Sequence, residues 1–317
     1  MMAAEVEHGR ASADWLALRE PADALARSTR LLDDLPPLLR PKLLGSVGVA
    51  RSTDRATPTN PSNNRSRLIV HDLGSGTGSQ RRWLAPRLPW PQHWVEHDRD
   101  AALQTEPLAP SVPARRSEGR SRDSDDAVEV TRCTCDLAEL SADHLKHADL
   151  ITASALLDVL TATTIDRLAE VAAALRVPTL LTLSVVGRVR LGPSDPLDQA
   201  VLAAFNEHQR RGTAAGRLLG PDAVAYATHV LRRRGATVRS ASSPWSLGSS
   251  TGPQGTHDDR GRALLAAWFT GWLDAALEQQ PDLATRAADY RRRRRAEIDG
   301  RRLAVTVEHT DLLAWWP

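Results

Sequence analysis

One stretch of this 317-residue chain constrains its fold more than any other: residues 68–78, which read LIVHDLGSGTG. A short apolar run, then an acid, then a glycine at every second position predicts a strand that turns tightly into a helix. Glycine suits such a turn because the backbone bends sharply and a ligand can approach with no Cβ in the way. The stretch therefore predicts a ligand site at the carboxyl end of a strand.

The acid Asp72 indicates which kind of ligand suits this turn. A carboxylate at that place would repel a pyrophosphate at the helix N-terminus, but it suits a ligand that carries an ammonium group. A P-loop is excluded because no Gly-Lys-Ser/Thr follows, and the dinucleotide fingerprint expects Gly or Ala where the chain has Ser79. Two alternatives stay open: another nucleotide cofactor, or a nucleotide-type fold that binds nothing.

Two further acids follow predicted strands. Asp98 ends the second strand, 20 residues after Gly78, where a carboxylate can accept hydrogen bonds from two ribose hydroxyls. Asp136 and Leu137 follow the third strand and offer a carboxylate and backbone N–H groups to an adenine. The alternative for Asp136 is a helix N-cap.

Strands alternate with helices along most of the chain. The predicted strands are residues 67–71, 92–97, 128–135, 149–153, 179–186, 236–241 and 302–308. Predicted helices cover 78–87, 164–175, 195–209 and 222–234, a segment with Trp268 and Trp272 on one face, and residues 290–298. This alternation predicts an α/β protein whose parallel sheet is covered on both faces.

The pattern DxGxGxG from Asp72 to Gly78, followed by Asp98 and Asp136, resembles the class I S-adenosylmethionine-dependent methyltransferases. The segment ADLITAS over 148–154 is similar to their fourth motif. The resemblance implies a Rossmann-like, seven-stranded methyltransferase sheet in the order 3-2-1-4-5-7-6. Residues 15–20 and 243–245 add a likeness to an uncharacterised actinobacterial group, which names no substrate.

Composition, apolar spacing and the resemblance together indicate how the chain is divided. Residues 1–49 would form an N-terminal helical cap, residues 50–66 a polar linker, and residues 67–317 the methyltransferase domain. Helical and polar inserts are expected at 107–127, 187–220 and 248–300. S-adenosylmethionine is the implied cofactor, and its expected contacts are Asp72, Gly74, Ser75, Gly76, Thr77, Gly78, Asp98, Arg99, Asp136, Leu137 and Ser154.

Candidates for catalysis and for substrate binding are fewer. A general base is needed only if the attacking atom starts protonated, and Asp158 and His208 are the candidates. Arg19, Arg27 and Arg217 are candidates for clamping a carboxylate of the substrate. For all five residues the alternative is an ordinary structural or solvent-exposed side chain.

A small-molecule substrate is the main hypothesis, and its alternatives are an RNA or protein substrate or a binding module without activity. Nucleic acid is disfavoured because the net charge is only +2 and aromatic residues make up 4% of the chain. The run of arginines at 291–295 is the one basic stretch that argues otherwise, and a solvated helix face is the preferred explanation for it.

Other sequence features set expectations about ions, membranes and compartment. Cys133 and Cys135 lack the further cysteines or histidines of a zinc site, so no metal is expected. The N-terminus lacks the apolar region of a signal peptide, and no uncharged apolar run is long enough to span a membrane. A cytoplasmic protein is expected, and nothing in the sequence predicts its oligomeric state.

Overall fold

The computed structural model of the protein describes residues 11–44, 67–105, 128–248 and 259–317. The predicted linker over 50–66 and the polar insert over 107–127 lie outside the described residues, as do 249–258 of the last predicted insert. The helices are α1 (Ala13–Ala26), α2 (Leu35–Leu44), α3 (Ser79–Leu84), α4 (Ala101–Thr105), α5 (Ala162–Leu175), α6 (Asp198–Gln209), α7 (Ala223–Arg233), α8 (Asp259–Gln279) and α9 (Ala284–Asp299).

One large sheet forms the centre of the fold. Its strands are β1 (Leu68–Leu73), β2 (Gln92–Asp98), β3 (Val128–Thr134), β4 (Leu150–Ser154), β5 (Thr179–Gly192), β8 (Thr237–Ser242), β9 (Trp245–Leu247) and β10 (Ala304–Trp315), while β6 (Gly212–Thr213) and β7 (Gly216–Arg217) form a separate hairpin. The order is β3-β2-β1-β4-β5-β10-β8, with β9 also pairing with β10. Strands β1 to β5 are parallel, and β10 is antiparallel to its neighbours. The predicted α/β class is confirmed.

Helices cover both faces of this sheet. Leu68 and Val70 of β1 point to the face where Trp83 of α3 and Leu35 and Leu39 of α2 pack. The opposite face packs against α5 and α7, whose apolar residues form a second cluster. A third cluster joins α6, α8 and α9 to the far ends of β5 and β10. Because side chains alternate between the two faces along a strand, the position of a residue in β1 determines which cluster it joins.

Two strands are longer than the sequence predicted. β5 continues through residues 187–192, which the sequence assigned to the start of an insert, and β10 continues from 308 to 315. The two pair along almost their whole length, with register shifts between Val307 and His309 and between Thr310 and Leu312. Arg188 and Arg190 break the apolar pattern of β5 because that part of the strand is more exposed, so sequence periodicity ended the strand too early.

The predicted N-terminal helical segment is interrupted. α1 ends at Ala26, a 3₁₀ turn covers Arg30–Asp34, and α2 begins at Leu35 with Pro36 and Pro37 in its first turn. Proline is tolerated there because the first N–H groups of a helix have no partner within it. The two helices consequently have different tasks: α2 covers one face of the sheet, whereas α1 contacts α8 and α3.

Candidate functional site

The candidate site lies at the carboxyl ends of β1 and β4. β1 pairs with β2 on one side and with β4 on the other, so the chain leaves β1 and β4 toward opposite sides of the sheet. In open α/β sheets this is the point at which a crevice forms outside the strand ends and ligands bind. The turn predicted from the sequence is located there.

The turn after β1 requires its glycines. Gly74, Gly76 and Gly78 have φ of +63°, +54° and +82°, values in the left-handed region that favours glycine. A Cβ added to Gly74 would lie 2.7 Å from Leu156 Cδ1, and one added to Gly76 would lie 2.9 Å from Leu16 Cδ1. The turn is therefore a close-packed bend with the chain after β4 on one side and α1 on the other.

Asp72 is buried directly before this turn. Its Oδ1 accepts a hydrogen bond of 2.7 Å from Thr152 Oγ1 of β4, while its Oδ2 has no hydrogen-bond partner among the described residues. Loss of hydration on burial raises the pKa of Asp72 to about 8, although the hydrogen bond from Thr152 and the charges of Arg27 and Arg81 act in the opposite direction. The unpartnered Oδ2 can accept a hydrogen bond, and a cationic donor at this place would favour the ionised form of Asp72.

Asp98, at the end of β2, holds the turn from the other side. Its Oδ2 accepts the N–H of Gly76 at 2.8 Å and its Oδ1 accepts the N–H of Asp100 at 2.9 Å. Each carboxylate oxygen can accept a second hydrogen bond, and the side chain is only half-buried. Asp98 can therefore shape the turn and still accept two hydroxyl groups. Arg99, beside it, is exposed.

A buried ion pair supports the turn from below. Arg81 of α3 donates from Nε to Glu96 Oε1 of β2 at 2.8 Å, and both side chains are almost fully buried. A Cβ added to Gly78 would lie 2.6 Å from the same Glu96 oxygen. The third glycine is therefore needed for the chain to pass over this carboxylate, which is a structural role.

Other predicted contacts are also near the turn. Ser75 is buried, and its Oγ has no hydrogen-bond partner among the described residues. The Thr77 carbonyl accepts a hydrogen bond from Arg82 of α3. Asp136 accepts the N–H of Ala138 at 2.9 Å and caps the 3₁₀ turn that begins at Leu137, so the N-cap alternative holds for this carboxylate. Its remaining lone pairs leave an adenine contact open.

Helix α1 is fastened across the turn. Glu20 receives two hydrogen bonds of 2.6 Å from Arg82, and the indole N–H of Trp83 donates to the Ala24 carbonyl at 3.1 Å. These contacts join α1 to α3, and Leu16 then covers Gly76. The N-terminal helix thus forms one wall of the crevice.

The two candidate bases occupy different places. Asp158 lies in a 3₁₀ turn just after β4; loss of hydration raises its pKa, and Arg19 and Arg211 are the cations near enough to lower it. His208 is at the end of α6, where loss of hydration and Arg211 lower its pKa and Glu278 raises it. Asp158 is therefore near the crevice because its turn closely follows β4. His208 lies instead near the end of α6, close to Glu278 of α8.

Arg19 and Arg217 already have acidic partners. Arg19 forms two hydrogen bonds with Asp23, of 2.9 and 3.1 Å, and lies over the ring of Trp245 at 5.0 Å from its centroid. Arg217 is an exposed residue of β7 and lies 3.5 Å from Glu207. The structure does not place Arg217 at the glycine-rich turn.

Arg27 lies in the crevice itself. Its Nη2 donates to Ser79 Oγ at 3.1 Å and to Ser154 Oγ at 3.0 Å, so it joins the start of α3 to the end of β4. The guanidinium lies over the ring of Trp83, and the residue is 3% exposed. Its Nε and Nη1 have no hydrogen-bond partner among the described residues.

Neighbouring histidines are structural in character. His71 Nδ1 and His97 Nε2 are 2.9 Å apart, and His97 Nδ1 lies 3.6 Å from Cys135 Sγ. Burial lowers the pKa of His71 to about 3 and that of His97 to about 4, so both rings are neutral at physiological pH. Within the described ranges, no group of three or more acidic, histidine or cysteine side chains is arranged to hold a metal ion. No helix in these ranges is long and apolar enough to cross a membrane.

No protein-family model and no curated protein matches the chain. Among solved structures it is similar to an O-methyltransferase family protein from Burkholderia thailandensis (21% identity, TM-score 0.35), over 55% of this chain and about half, 47%, of that one. It is also similar to mycolic acid cyclopropane synthase CmaA1, solved with SAH and CTAB (13% identity, TM-score 0.42, 95% and 94% of the two chains). A third is the geranyl diphosphate C-methyltransferase from Streptomyces coelicolor A3(2) (10%, TM-score 0.38, 79% and 74%). At these TM-scores the likeness carries no argument about activity.

Several residues of the crevice were not found from the sequence. Thr152 lies in the predicted fourth strand, but its bond to Asp72 depends on the register between β1 and β4. Leu16 and Leu156 meet the glycines through tertiary contacts only. Ala155, directly after β4, has a φ of +51°. Alanine rarely adopts this conformation, so the residue type did not predict it.

Proposed function

We propose that the protein is an S-adenosylmethionine-dependent methyltransferase that acts on a small molecule. The observation that carries this proposal is the buried Asp72, whose free oxygen points to a cationic ligand at a glycine-rich turn. Asp98 at the end of the adjacent strand supplies the acceptor pair that a ribose needs. A ligand with a positively charged amino acid part and a nucleoside part satisfies both.

The described residues fit this cofactor. The free Asp72 oxygen would accept from the ammonium group of its methionine part, and the free Ser75 hydroxyl offers a further hydrogen bond there. Asp98 would accept from the ribose hydroxyls, and Asp136 with the N–H of Leu137 would face the adenine. The glycines adopt the left-handed conformations that the turn requires and leave room for the side chains packed against it.

When bound, the cofactor would supply a methyl group on its sulfonium: a substrate atom would attack the methyl carbon as the carbon–sulfur bond breaks, and S-adenosylhomocysteine would leave with the electron pair. The protein's contribution is to hold this group and the attacking atom at the right distance and angle. The turn fixes the cofactor side, and α1 and the chain after β4 close the crevice against water. Leu16 and Leu156, which pack on Gly76 and Gly74, provide this cover.

Asp158 is the better candidate for a base. It follows β4 by four residues, is half-buried, and burial raises its pKa, which favours uptake of a proton from a substrate hydroxyl or amine. An Asp158→Asn variant should lower kcat and leave the affinity for S-adenosylmethionine unchanged. Equal loss of cofactor affinity would instead assign Asp158 to the cofactor site.

The surroundings favour a small substrate. An apolar cluster between α1, α6 and α8 contains Trp15, Phe205 and Trp268, all partly buried, and reaches Ala155 at the end of β4. Trp268 stacks on Trp272 with ring centroids 5.3 Å apart. Side chains of this kind suit the apolar part of a small molecule.

The arginine run gives little support to a nucleic-acid substrate. Arg294 is 1% exposed, so it is not part of the solvated helix face that the sequence suggested for the whole run. Its Nη2 donates to both carboxylate oxygens of Asp198, at 2.6 and 2.7 Å. The preceding residues Arg291, Arg292 and Arg293 form ion pairs with Asp274, Asp289 and Asp195. Arginines that are neutralised within the chain contribute less to phosphate binding.

The cofactor is tested first by isothermal titration calorimetry with S-adenosylmethionine and with its demethylated product. We expect the wild type to bind in the micromolar range and Asp98→Asn to bind at least tenfold more weakly. The reason is that a charged carboxylate accepts hydrogen bonds from hydroxyl groups more strongly than a neutral amide oxygen does. Asp282→Asn, which removes an exposed carboxylate far along the chain, is the matched control. No binding to the wild type at millimolar ligand would refute the proposal.

The substrate class is tested by methyl transfer. Labelled cofactor and purified protein are incubated with a fractionated cell extract, and label is followed into small molecules, RNA and protein. Label in the small-molecule fraction, lost in the Asp98→Asn variant, is the expected result. Label in RNA or protein alone would show that the substrate is a macromolecule.

A further inference from the structure

Arg27 has hydrogen-bond donors that the described part of the chain leaves unused, and it forms no direct ion pair there, although the charges of Asp23, Asp72 and Asp311 act on it from a greater distance. It is almost fully buried, its Nε and Nη1 have no hydrogen-bond partner there, and its other contacts are to hydroxyl groups and to the ring of Trp83. A buried cation without a paired anion is costly, and proteins seldom keep one without a use for it. Nε and Nη1 lie on different edges of the guanidinium, so each can donate one charge-assisted hydrogen bond to an anion.

The position of Arg27 indicates which anion is meant. Thr152 of β4 is opposite Asp72 of β1, and Ser154, which Arg27 contacts, is two residues further along β4. Two residues advance a strand by about 7 Å, so the Ser154 hydroxyl that the guanidinium contacts lies about that far beyond Thr152 along β4. The Arg27 and Asp72 charges are close enough to affect each other.

One buried carboxylate and one buried guanidinium, each with unpartnered hydrogen-bonding atoms, thus lie close enough for their charges to interact. An α-amino acid presents an ammonium and a carboxylate on the same carbon, and the two unpartnered groups match that arrangement. The guanidinium is held in place from several sides. Arg27 ends α1, the next N–H, that of Ser28, donates to the buried Asp311 of β10 at 2.8 Å, and Trp83 supports its plane.

We propose that Arg27 binds the α-carboxylate of the methionine part of S-adenosylmethionine, while Asp72 beside it takes the α-ammonium group. This assignment rests on the proposed function and deepens it. It moves Arg27 from the substrate side, where the sequence placed it, to the cofactor side. It also gives α1 a direct part in cofactor binding, because Arg27 directly follows the last residue of this helix.

The test compares two ligands that differ by one group: S-adenosylmethionine and its decarboxylated form, which keeps the sulfonium and the ammonium but lacks the carboxylate. Dissociation constants are measured by calorimetry for the wild type, Arg27→Met and Asp72→Asn. The Arg27→Met variant should bind S-adenosylmethionine about 10- to 100-fold more weakly than the wild type does, and decarboxylated S-adenosylmethionine equally well. Asp72→Asn should weaken the binding of both ligands, because both carry the ammonium group.

Arg87→Met is the matched control, since Arg87 also lies over the ring of Trp83, at 4.8 Å, but is exposed outside the crevice. It should leave both dissociation constants unchanged. If thermal unfolding shows that Arg27→Met does not fold, Arg27→Lys replaces it. Lysine keeps the positive charge but lacks the planar guanidinium donors, so this variant should bind only S-adenosylmethionine more weakly.

Three results would overturn the assignment. In two of them the wild type binds the cofactor: Arg27→Met binds S-adenosylmethionine as tightly as the wild type does, or it loses affinity for both ligands equally. Either result would show that Arg27 does not bind the carboxylate. Failure of the wild type to bind either ligand would overturn the proposed function and this assignment with it.

Discussion

Replacing Asp72 by asparagine should stabilise the free protein relative to the wild type increasingly as the pH rises, and it should weaken binding at the proposed cofactor site. Burial raises the pKa of Asp72 to about 8, well above its ordinary value of 3.8. Between these two values the folded chain holds a proton on Asp72 that the unfolded chain has released. Folding therefore takes up a proton in this range, and raising the pH destabilises the wild type. The amide of Asp72→Asn does not titrate, and its oxygen can still accept from Thr152.

The size of the effect follows from linkage. One proton bound on folding changes the free energy of unfolding by about 1.4 kcal/mol for each pH unit. From pH 6 to pH 8, where Asp72 of the folded chain passes from protonated to half-ionised, the variant should gain about 2 kcal/mol on the wild type. Above pH 9 the difference should stop growing, because Asp72 is then ionised in both states.

The assay is urea denaturation of both proteins, without ligand, at half-unit steps from pH 6 to pH 9.5. All other titrating groups are common to the two proteins, so they cancel in the difference between their unfolding free energies. Asp282→Asn, which removes an exposed carboxylate, controls for the loss of one charge. A difference between Asp72→Asn and the wild type that is the same at pH 6 and pH 8 would refute a protonated Asp72, whatever its absolute size.

Three other outcomes are expected. S-adenosylmethionine should bind the wild type more tightly at pH 8 than at pH 6, with net release of a proton, because its ammonium group needs the ionised Asp72; calorimetry in buffers of different ionisation enthalpy measures this, and affinity independent of pH would contradict it. Gly76→Ala should cost about 1–2 kcal/mol of stability through its left-handed φ alone, and more through its contact with α1, as a fall in Tm. Arg294→Met should cost about 3–5 kcal/mol in urea denaturation because it leaves a buried carboxylate unpaired, whereas Arg292→Met, with a side chain 73% exposed, should stay within about 0.5 kcal/mol.

Most of the fold could be predicted from the sequence, because its signals are local. The apolar run before Asp72 and the alternation of strands and helices do not depend on distant residues. What could not be predicted is the length of β5 and β10, which is set by pairing between strands more than 100 residues apart in the chain. Cross-strand pairing sustains polar residues such as Arg190 in a strand where periodicity alone ends it.

The site divides in the same way. Asp72, Asp98 and the glycines form a motif within one supersecondary unit, so their spacing predicts their proximity. Arg27 does not: it is 52 residues from Ser79 and 127 from Ser154, and only the docking of α1 brings them together. The sequence analysis proposed Arg27, with Arg19 and Arg217, as a candidate for binding a substrate carboxylate, but nothing in the sequence indicated that Arg27 is buried.

The free protein keeps two costly groups at one point of its sheet. Burial raises the pKa of Asp72, and its Oδ2 has no hydrogen-bond partner among the described residues. Nε and Nη1 of the charged Arg27 also have none there. Each could be replaced by a neutral side chain of similar size to the benefit of stability. Their retention together has a single explanation if one ligand neutralises both, because the free energy lost on folding is then recovered on binding. A zwitterion would do this with adjacent charges, so the proposed arrangement would favour a ligand with an amino acid part over a simple nucleoside.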